Sequence, residues 1–279
     1  MKILFLGDIM GRAGRNAIIG NLSDIRAELA LDFVIINAEN ATGGRGLSAK
    51  HAQELLGAGA DCITLGDHAF DQSEMLRYIE NEPRIVRPIN FAKDAPGKGY
   101  RVFEVSRGRK ILVVQVLGQV FMKRAYEDPF GKIDAILKSY PLKGQIDASV
   151  VDIHCEATSE KMAMGHWCDG RASLCVGTHT HVPTADAMIL EKGTGYLTDA
   201  GMCGDYNSII GMNKQEPLNR FVSGMFKSRF VPASKEATIA GTFVEVDSAT
   251  GLPKKIELFR RGGILLPTDL NGLGKKEDF

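Results

Sequence analysis

At 279 residues, 44% of them hydrophobic, the chain is long enough for one large domain or two small ones. Its 34 basic and 34 acidic residues cancel, so no overall electrostatic footprint for nucleic acid or a membrane surface follows. The five cysteines, Cys62, Cys155, Cys168, Cys175 and Cys203, are odd in number and lack a Cys-x-x-Cys pair, which speaks against a disulfide framework or a zinc knuckle and for buried, inert thiols.

Residues 3–6 are all apolar, the pattern of a strand buried on both faces. The run stops at Gly7-Asp8, too short for a signal-peptide core, and no apolar run approaches a membrane span; a cytoplasmic protein is expected. A glycine-rich loop is expected over 11–15, followed by a helix whose apolar face is Ile18, Ile19, Leu22, Ile25 and Leu29. A second buried strand at 33–36 runs out at Asn37-Ala38-Glu39-Asn40. The loop Gly43-Gly44-Arg45-Gly46 leads to Ser48, an N-cap for a helix over 49–56. A third strand at 62–65 ends in Gly66-Asp67-His68. This opening is β-α-β-α-β, the signature of a parallel sheet with crossover helices.

The middle is less regular. Strands at 100–105 and 111–116 flank Ser106-Arg107-Gly108-Arg109 and predict an antiparallel pair, while 118–130 carries no period and reads as a loop. A short helix at 133–137 precedes a strand at 148–153 that ends on His154. Thr158 or Ser159 is expected to cap a helix through Met164, and a strand at 174–176 opens into Gly177-Thr178-His179-Thr180-His181. A strand at 195–198, a helix at 218–226 and a hairpin of 239–246 with 255–259 complete the chain. One domain over 1–268 is expected, with a frayed tail from 269 to 279.

In sheets built from βαβ units, ligands bind outside the carboxyl ends of the strands. Here those ends carry Asp8, Glu39-Asn40, Asp67-His68, His154 and the pair His179/His181. In an extended segment residues two apart project the same way, so the last two histidines are expected to aim at neighbouring points. Carboxylate, amide and imidazole together suit iron, manganese, zinc or nickel better than magnesium or calcium alone. The set exceeds what one tetrahedral site takes. Two ions sharing a carboxylate, most naturally Glu39, would sit about 3.5–4 Å apart and acidify a bridging water, the arrangement of hydrolytic two-metal sites. Phosphate-ester hydrolysis is the reaction class this predicts.

Asp8 followed by Gly11, Glu39-Asn40, Gly66-Asp67-His68, His154 and Gly177-Thr178-His179-Thr180-His181 resemble the motif series of the calcineurin-like metallophosphoesterases. Within them the chain is most similar to the YmdB-type branch, through Asn37-Ala38-Glu39-Asn40, the run from His154 to Lys161 and the Gly177 to His181 segment. The resemblance runs from Met1 to about residue 260. It implies a four-layer αββα sandwich of two mixed sheets flanked by helices. It also implies a dinuclear site of iron or manganese, with zinc as a further candidate, and phosphodiesterase activity on 2′,3′-cyclic nucleotides. Carried over residue by residue, Asp8, Asn40 and His181 would hold one ion and Asp67, His154 and His179 the other. Glu39 would bridge them, and His68 would be the proton donor beside the metals. The chain departs from the superfamily twice. Asp8-Ile9-Met10 lacks the usual Asp-x-His, as the YmdB-type branch does, which loads Asn40; and Asp67 replaces the usual asparagine, adding a negative charge. That charge implies tighter metal binding and weaker Lewis acidity.

Glu160 is expected in the first turn of a helix, where the dipole favours it; Arg12, Arg15 and Arg45 read as solvated, and Asp199 as a pocket residue at the same sheet edge. Three rival functions compete. A dinucleotide oxidoreductase is disfavoured because Gly7, Gly11 and Gly14 do not make Gly-x-Gly-x-x-Gly. A metal-dependent amidohydrolase would show its His-x-His early, not late. A regulatory or RNA-associated scaffold with little turnover is the alternative function. The composition leaves open a homo-oligomer and gives no support for a nucleic-acid partner.

Overall fold

Apolar runs separated by glycine-bearing turns become short strands, and 3.6-residue periodicity becomes the helices that cover them. The computed structural model describes residues 1–124 and 126–268; the expected frayed tail lies outside them. In chain order come β1 (Lys2–Leu6), β2 (Asp8–Ile9), α1 (Gly11–Leu29), β3 (Phe33–Asn37), α2 (Ala49–Gly57), β4 (Cys62–Thr64), α3 (Met75–Tyr78) and β5 (Ile85–Val86). The middle adds β6 (Tyr100–Val105), β7 (Arg109–Leu117), α4 (Pro129–Ser139), β8 (Ala148–His154), α5 (Thr158–Cys168) and β9 (Leu174–Thr178). The last third contributes β10 (Met188–Ile189), β11 (Gly195–Leu197), β12 (Met202–Cys203), α6 (Gln215–Ser223), β13 (Ile239–Val246) and β14 (Pro253–Arg261).

Among the described residues these strands form two six-stranded mixed sheets, ordered β14-β13-β1-β3-β4-β5 and β10-β11-β9-β8-β7-β6, with a small β12-β2 ladder. The expected β-α-β-α-β opening is present: β1, β3 and β4 run parallel, Ile3 to Leu6 facing Phe33 to Ile36 and Ile35 to Asn37 facing Cys62 to Thr64. The antiparallel pair β6–β7 is also as read, but it edges the second sheet, where β7, β8 and β9 are parallel.

Strand alternation sorts the side chains into layers. Ile3, Phe5, Phe33 and Ile35 point inward with Ile111, Val113, Val150 and Val176 to form the core between the sheets. Leu4, Leu6, Val34 and Ile36 face outward onto Ile18, Leu22 and Ile25 of α1 and Leu55 of α2. Leu112, Val114 and Val151 face the other way, onto Ile133 of α4 and Met164 of α5. The result is the αββα sandwich expected. Each fully buried aliphatic side chain contributes roughly 1.5–3 kcal/mol relative to exposure, so apolar runs on both faces dictate the two covered sheets. No helix among the described residues is long and apolar enough to cross a membrane.

Two local readings are corrected. Residues 11–15 are not a loop but the first turn of α1. A Cβ at Gly14 would lie 2.0 Å from the Cys203 carbonyl oxygen, so that glycine permits a close helix–strand approach. Helix α5 begins at Thr158 with Ala157 as its cap and no capping side-chain bond, because an alanine side chain offers no acceptor. Ser48 does cap α2, accepting from the His51 backbone N–H at 3.2 Å.

Candidate metal centre

The carboxyl ends of β1, β3 and β4 meet those of β8 and β9 across the sandwich, and the expected residues meet with them. Glu39, Asp67, His154 and His179 place ligand atoms all within 4.8 Å of one another, as do Asp8, Glu39 and His181. Glu39 belongs to both groups. Around His154 Nε2 lie Glu39 Oε2 at 3.1 Å, Asp67 Oδ1 at 3.4 Å and His179 Nδ1 at 3.0 Å. The Asn40 amide nitrogen is 2.8 Å from Glu39 Oε1 and 3.1 Å from His181 Nε2; turning the amide over would bring its carbonyl oxygen to the same place. A Cβ at Gly66 would lie 1.9 Å from Glu39 Oε2, so glycine is required where β4 ends.

The His179 segment is not extended. His179 and His181 both have positive φ, 95° and 66°, which costs about 1–2 kcal/mol each for residues with a Cβ. The turn sends them to different groups, His179 towards Asp67 and His181 towards Asp8. Thr180 between them is held by Asp199, whose Oδ2 accepts from its backbone N–H at 3.2 Å and its hydroxyl at 2.7 Å. Asp199 is paired in turn with the buried Lys161 ammonium at 2.6 Å. Glu160, one residue earlier, accepts the backbone N–H groups of Gln119 and Val120 at 2.9 and 3.1 Å. The two charges thus fasten separate loops around the site.

A polar floor underlies the donors. Asp152, completely buried at an inward-facing position of β8, accepts from Thr64 Oγ1 at 2.6 Å, Thr178 Oγ1 at 2.7 Å, Gln115 Nε2 at 2.8 Å and Asn37 Nδ2 at 3.3 Å. Burial pushes its carboxyl above the usual range against the opposing His154 charge and these donors. Because Thr178 spends its one hydroxyl proton on Asp152, its oxygen must accept from His154 Nδ1, 2.8 Å away. That fixes the proton on Nδ1 and presents Nε2 to the centre. Asp152, Thr64 and Gln115 were not singled out from the sequence, and Thr178 only as part of the histidine motif. The available signal was a charged residue inside the apolar run Val150-Val151-Asp152-Ile153.

Burial raises Asp8 to about 7, assisted by Glu39 and Asp199 and opposed by His181 and His154. Burial also raises Glu39 and Asp67, but the neighbouring His154 outweighs it and holds both below their ordinary values. His154 is carried well above its ordinary value by Glu39, Asp67 and Asp8 despite burial. His179 falls to about 4 through burial and the neighbouring His154 charge. The donor set fits metal ions on a structural ground: the buried oxygens Asp8 Oδ1 and Asp67 Oδ1 have no hydrogen-bond partner among the described residues. Leaving such groups unsatisfied costs on the order of 1–3 kcal/mol each, more for charged ones, and cations would remove that cost.

His68 stands beside the donors. Its backbone N–H is 3.5 Å from Glu39 Oε2, and its Nδ1 is 3.0 Å from Asp71 Oδ2. Arg45, read as solvated, holds the same Asp71 oxygen through Nε at 2.9 Å. Arg15 reaches the Ala41 carbonyl, while Arg12 is exposed. Glu156 approaches His179 Nε2 at 3.3 Å from a half-exposed position.

The family described as YmdB-like protein matches residues 4–259. A 2′,3′-cyclic-nucleotide 2′-phosphodiesterase of Bacillus subtilis (strain 168) is 40% identical over 257 residues, 92% of this chain and 96% of the relative. A crystal structure of a hypothetical protein from Thermus thermophilus superposes with a TM-score of 0.87 at 42% identity, covering 94% of this chain and 100% of that one. A structure described as a novel phosphatase, from Mycoplasma pneumoniae, gives 0.87 at 38% identity over 94% of this chain and 93% of its own. With likeness running from the first strand to the last, the chain belongs to the YmdB-like protein family.

Proposed function

We propose that the protein is a dinuclear-metal-dependent phosphodiesterase that opens 2′,3′-cyclic nucleotides by hydrolysis. The observation that carries the reading is Glu39, the carboxylate common to two converging donor groups. Asp67, His154 and His179 would hold one ion, Asp8, Asn40 and His181 the other, with Glu39 across both and iron or manganese as the metals. When bound, the pair supplies an acidified water and positive charge against the phosphoryl oxygens. The similarity to a 2′,3′-cyclic-nucleotide 2′-phosphodiesterase supports the substrate class.

The chain's own groups supply the rest. Water adds its oxygen to phosphorus, the bond from phosphorus to the ribose 2′-oxygen breaks, and that oxygen leaves needing a proton. His68 would give it: Nδ1 lies 3.0 Å from Asp71 Oδ2, which leaves Nε2 as the donating nitrogen. The proton shed by the water restores His68, and the product is a 3′-monophosphate. The test is turnover of 2′,3′- against 3′,5′-cyclic nucleotides by manganese- or iron-loaded protein. The 2′,3′ isomers should be hydrolysed, and His68→Ala should lower kcat by about a hundredfold at unchanged metal content. Unchanged kcat in His68→Ala would remove its role; metal-loaded wild type inert on every nucleotide would favour the scaffold reading instead.

Asp67 carries a separate expectation. Replacing it with asparagine removes one negative charge from the centre, and metal affinity should fall by roughly tenfold while kcat rises as the ion becomes the stronger Lewis acid. Equal affinity and equal turnover in the two proteins, by metal titration and assay, would show that the added charge does nothing.

A further inference from the structure

A row of aromatic rings leads outward from the turn that carries His68. Phe70, two residues beyond it, lies 5.8 Å between ring centroids from Phe91. Phe91 lies 5.4 Å from Tyr126 with the planes only 29° apart. Phe70 and Phe91 are the partly buried outer fringe of the helix-side core. Tyr126 is laid on top of them, half-buried, and belongs to none of the apolar clusters of the described residues.

Tyr126 is nonetheless held firmly. Its carbonyl accepts from Gln119 Nε2 at 2.9 Å. The next residue, Glu127, exchanges bonds with the buried Asn90, N–H to carbonyl at 3.0 Å and carbonyl to Nδ2 at 3.1 Å. Asn90 also brackets Leu117, donating to its carbonyl at 2.8 Å and accepting from its N–H at 2.9 Å, and Leu117 is the strand partner of His154. The ring is thus positioned relative to the strand end that bears a candidate ligand. It is also close to the centre electrically: after burial, the charges of Asp67, Glu39 and Asp71 help push the phenol above its ordinary value, against Arg124.

We propose that Tyr126, backed by Phe91, is the nucleobase platform of the site. The inference rests on the phosphodiesterase reading above and names what that reading leaves unassigned, the group that recognises the nucleoside. A cyclic nucleotide presents one anionic phosphate and one large flat face. The clustered donors serve the first, and a half-buried ring fixed by main-chain bonds serves the second at little entropic cost. Stacking accepts every base, so the platform predicts selectivity for nucleosides over bare sugar phosphates with little preference among bases.

The test compares 2′,3′-cyclic AMP with 1-O-methylribose 2′,3′-cyclic phosphate, which lacks the base. In Tyr126→Leu the ratio of kcat/KM for the two substrates should fall about tenfold, through KM. In Tyr126→Phe, which keeps the ring, the ratio should stay within about twofold of wild type. Calorimetric affinity for adenosine 3′-monophosphate should weaken by the same factor in Tyr126→Leu, and that for ribose 3-phosphate far less. An unchanged ratio in Tyr126→Leu overturns the platform. So does an equal loss on both substrates in Tyr126→Phe, which would assign the hydroxyl to the phosphate. Wild type inert on both substrates overturns the phosphodiesterase reading and the platform with it, whereas active wild type with an unchanged ratio overturns the platform alone.

Discussion

Replacing Glu39 by alanine is expected to reduce bound metal from about two ions per chain to one or none and to cut phosphodiester turnover by about a thousandfold or more. Glu39 alone among the clustered residues belongs to both donor groups, so its loss withdraws a ligand from each ion and the link between them. Loss of another ligand, such as His181, leaves the Asp67 group whole. The carboxylate is fully buried and stays anionic because His154 offsets the burial that would otherwise raise it. Several kcal/mol of charge stabilisation by a metal pair corresponds to about three powers of ten in rate. Glu39→Gln separates charge from shape, since the amide fills the same space over Gly66. It should also lose the metal pair, because a neutral bridge no longer offsets the repulsion between two cations. Elemental analysis of dialysed protein with a parallel assay decides the matter, and two ions per chain with undiminished turnover in Glu39→Ala would end the bridging assignment.

The sequence showed the layers and the site residues for one reason and hid the rest for another. Runs such as 3–6 and 33–36 are apolar on both faces, so their burial and their ends could be read locally, and the ends carry the chemistry. Long-range pairing has no such local mark. β13 lies antiparallel to β1 although more than two hundred residues of chain separate them, and that choice depends on which edge the parallel strands leave free. Gly14 misled because a glycine that admits a neighbour's backbone looks the same as one that loosens a loop. The left-handed turn at His179 and His181 was equally invisible, since histidine does not by itself adopt positive φ. It is tied down from outside, by Asp199 with Lys161 behind it at Thr180, by Asp8 at the His179 N–H and by the Ile210 carbonyl at His181. Asp152 could have been suspected as a charge in an apolar strand, but its donors come from β3, β4, β7 and β9 and only the folded chain brings them together.

That external hold predicts the largest stability effect. Lys161→Met should destabilise the protein by about 3–5 kcal/mol, lowering Tm by roughly ten degrees for a chain of this size. Both partners are buried, at 0% and 1% side-chain exposure, so solvent does little to screen the 2.6 Å contact. The lysine stem packs at Gly177, where a Cβ would lie 2.7 Å from Lys161 Cδ. Methionine fills much of that volume and removes chiefly the charge. Asp199 is then left buried with the Thr180 and Gly201 donors but no counter-charge. Asp199→Asn alone should cost a similar amount by stranding the ammonium. The double variant should recover at least about 2 kcal/mol of the summed loss, since neutral partners no longer pay for burying a lone charge. Metal affinity should fall in Lys161→Met as well, because Thr180 loses its anchor and the strained turn can relax, carrying His179 and His181 away from their groups. Denaturant melts of the four proteins with a metal titration of each make the measurement. A Lys161→Met protein with wild-type Tm and wild-type metal affinity would mean that the histidine turn is held by something other than this ion pair.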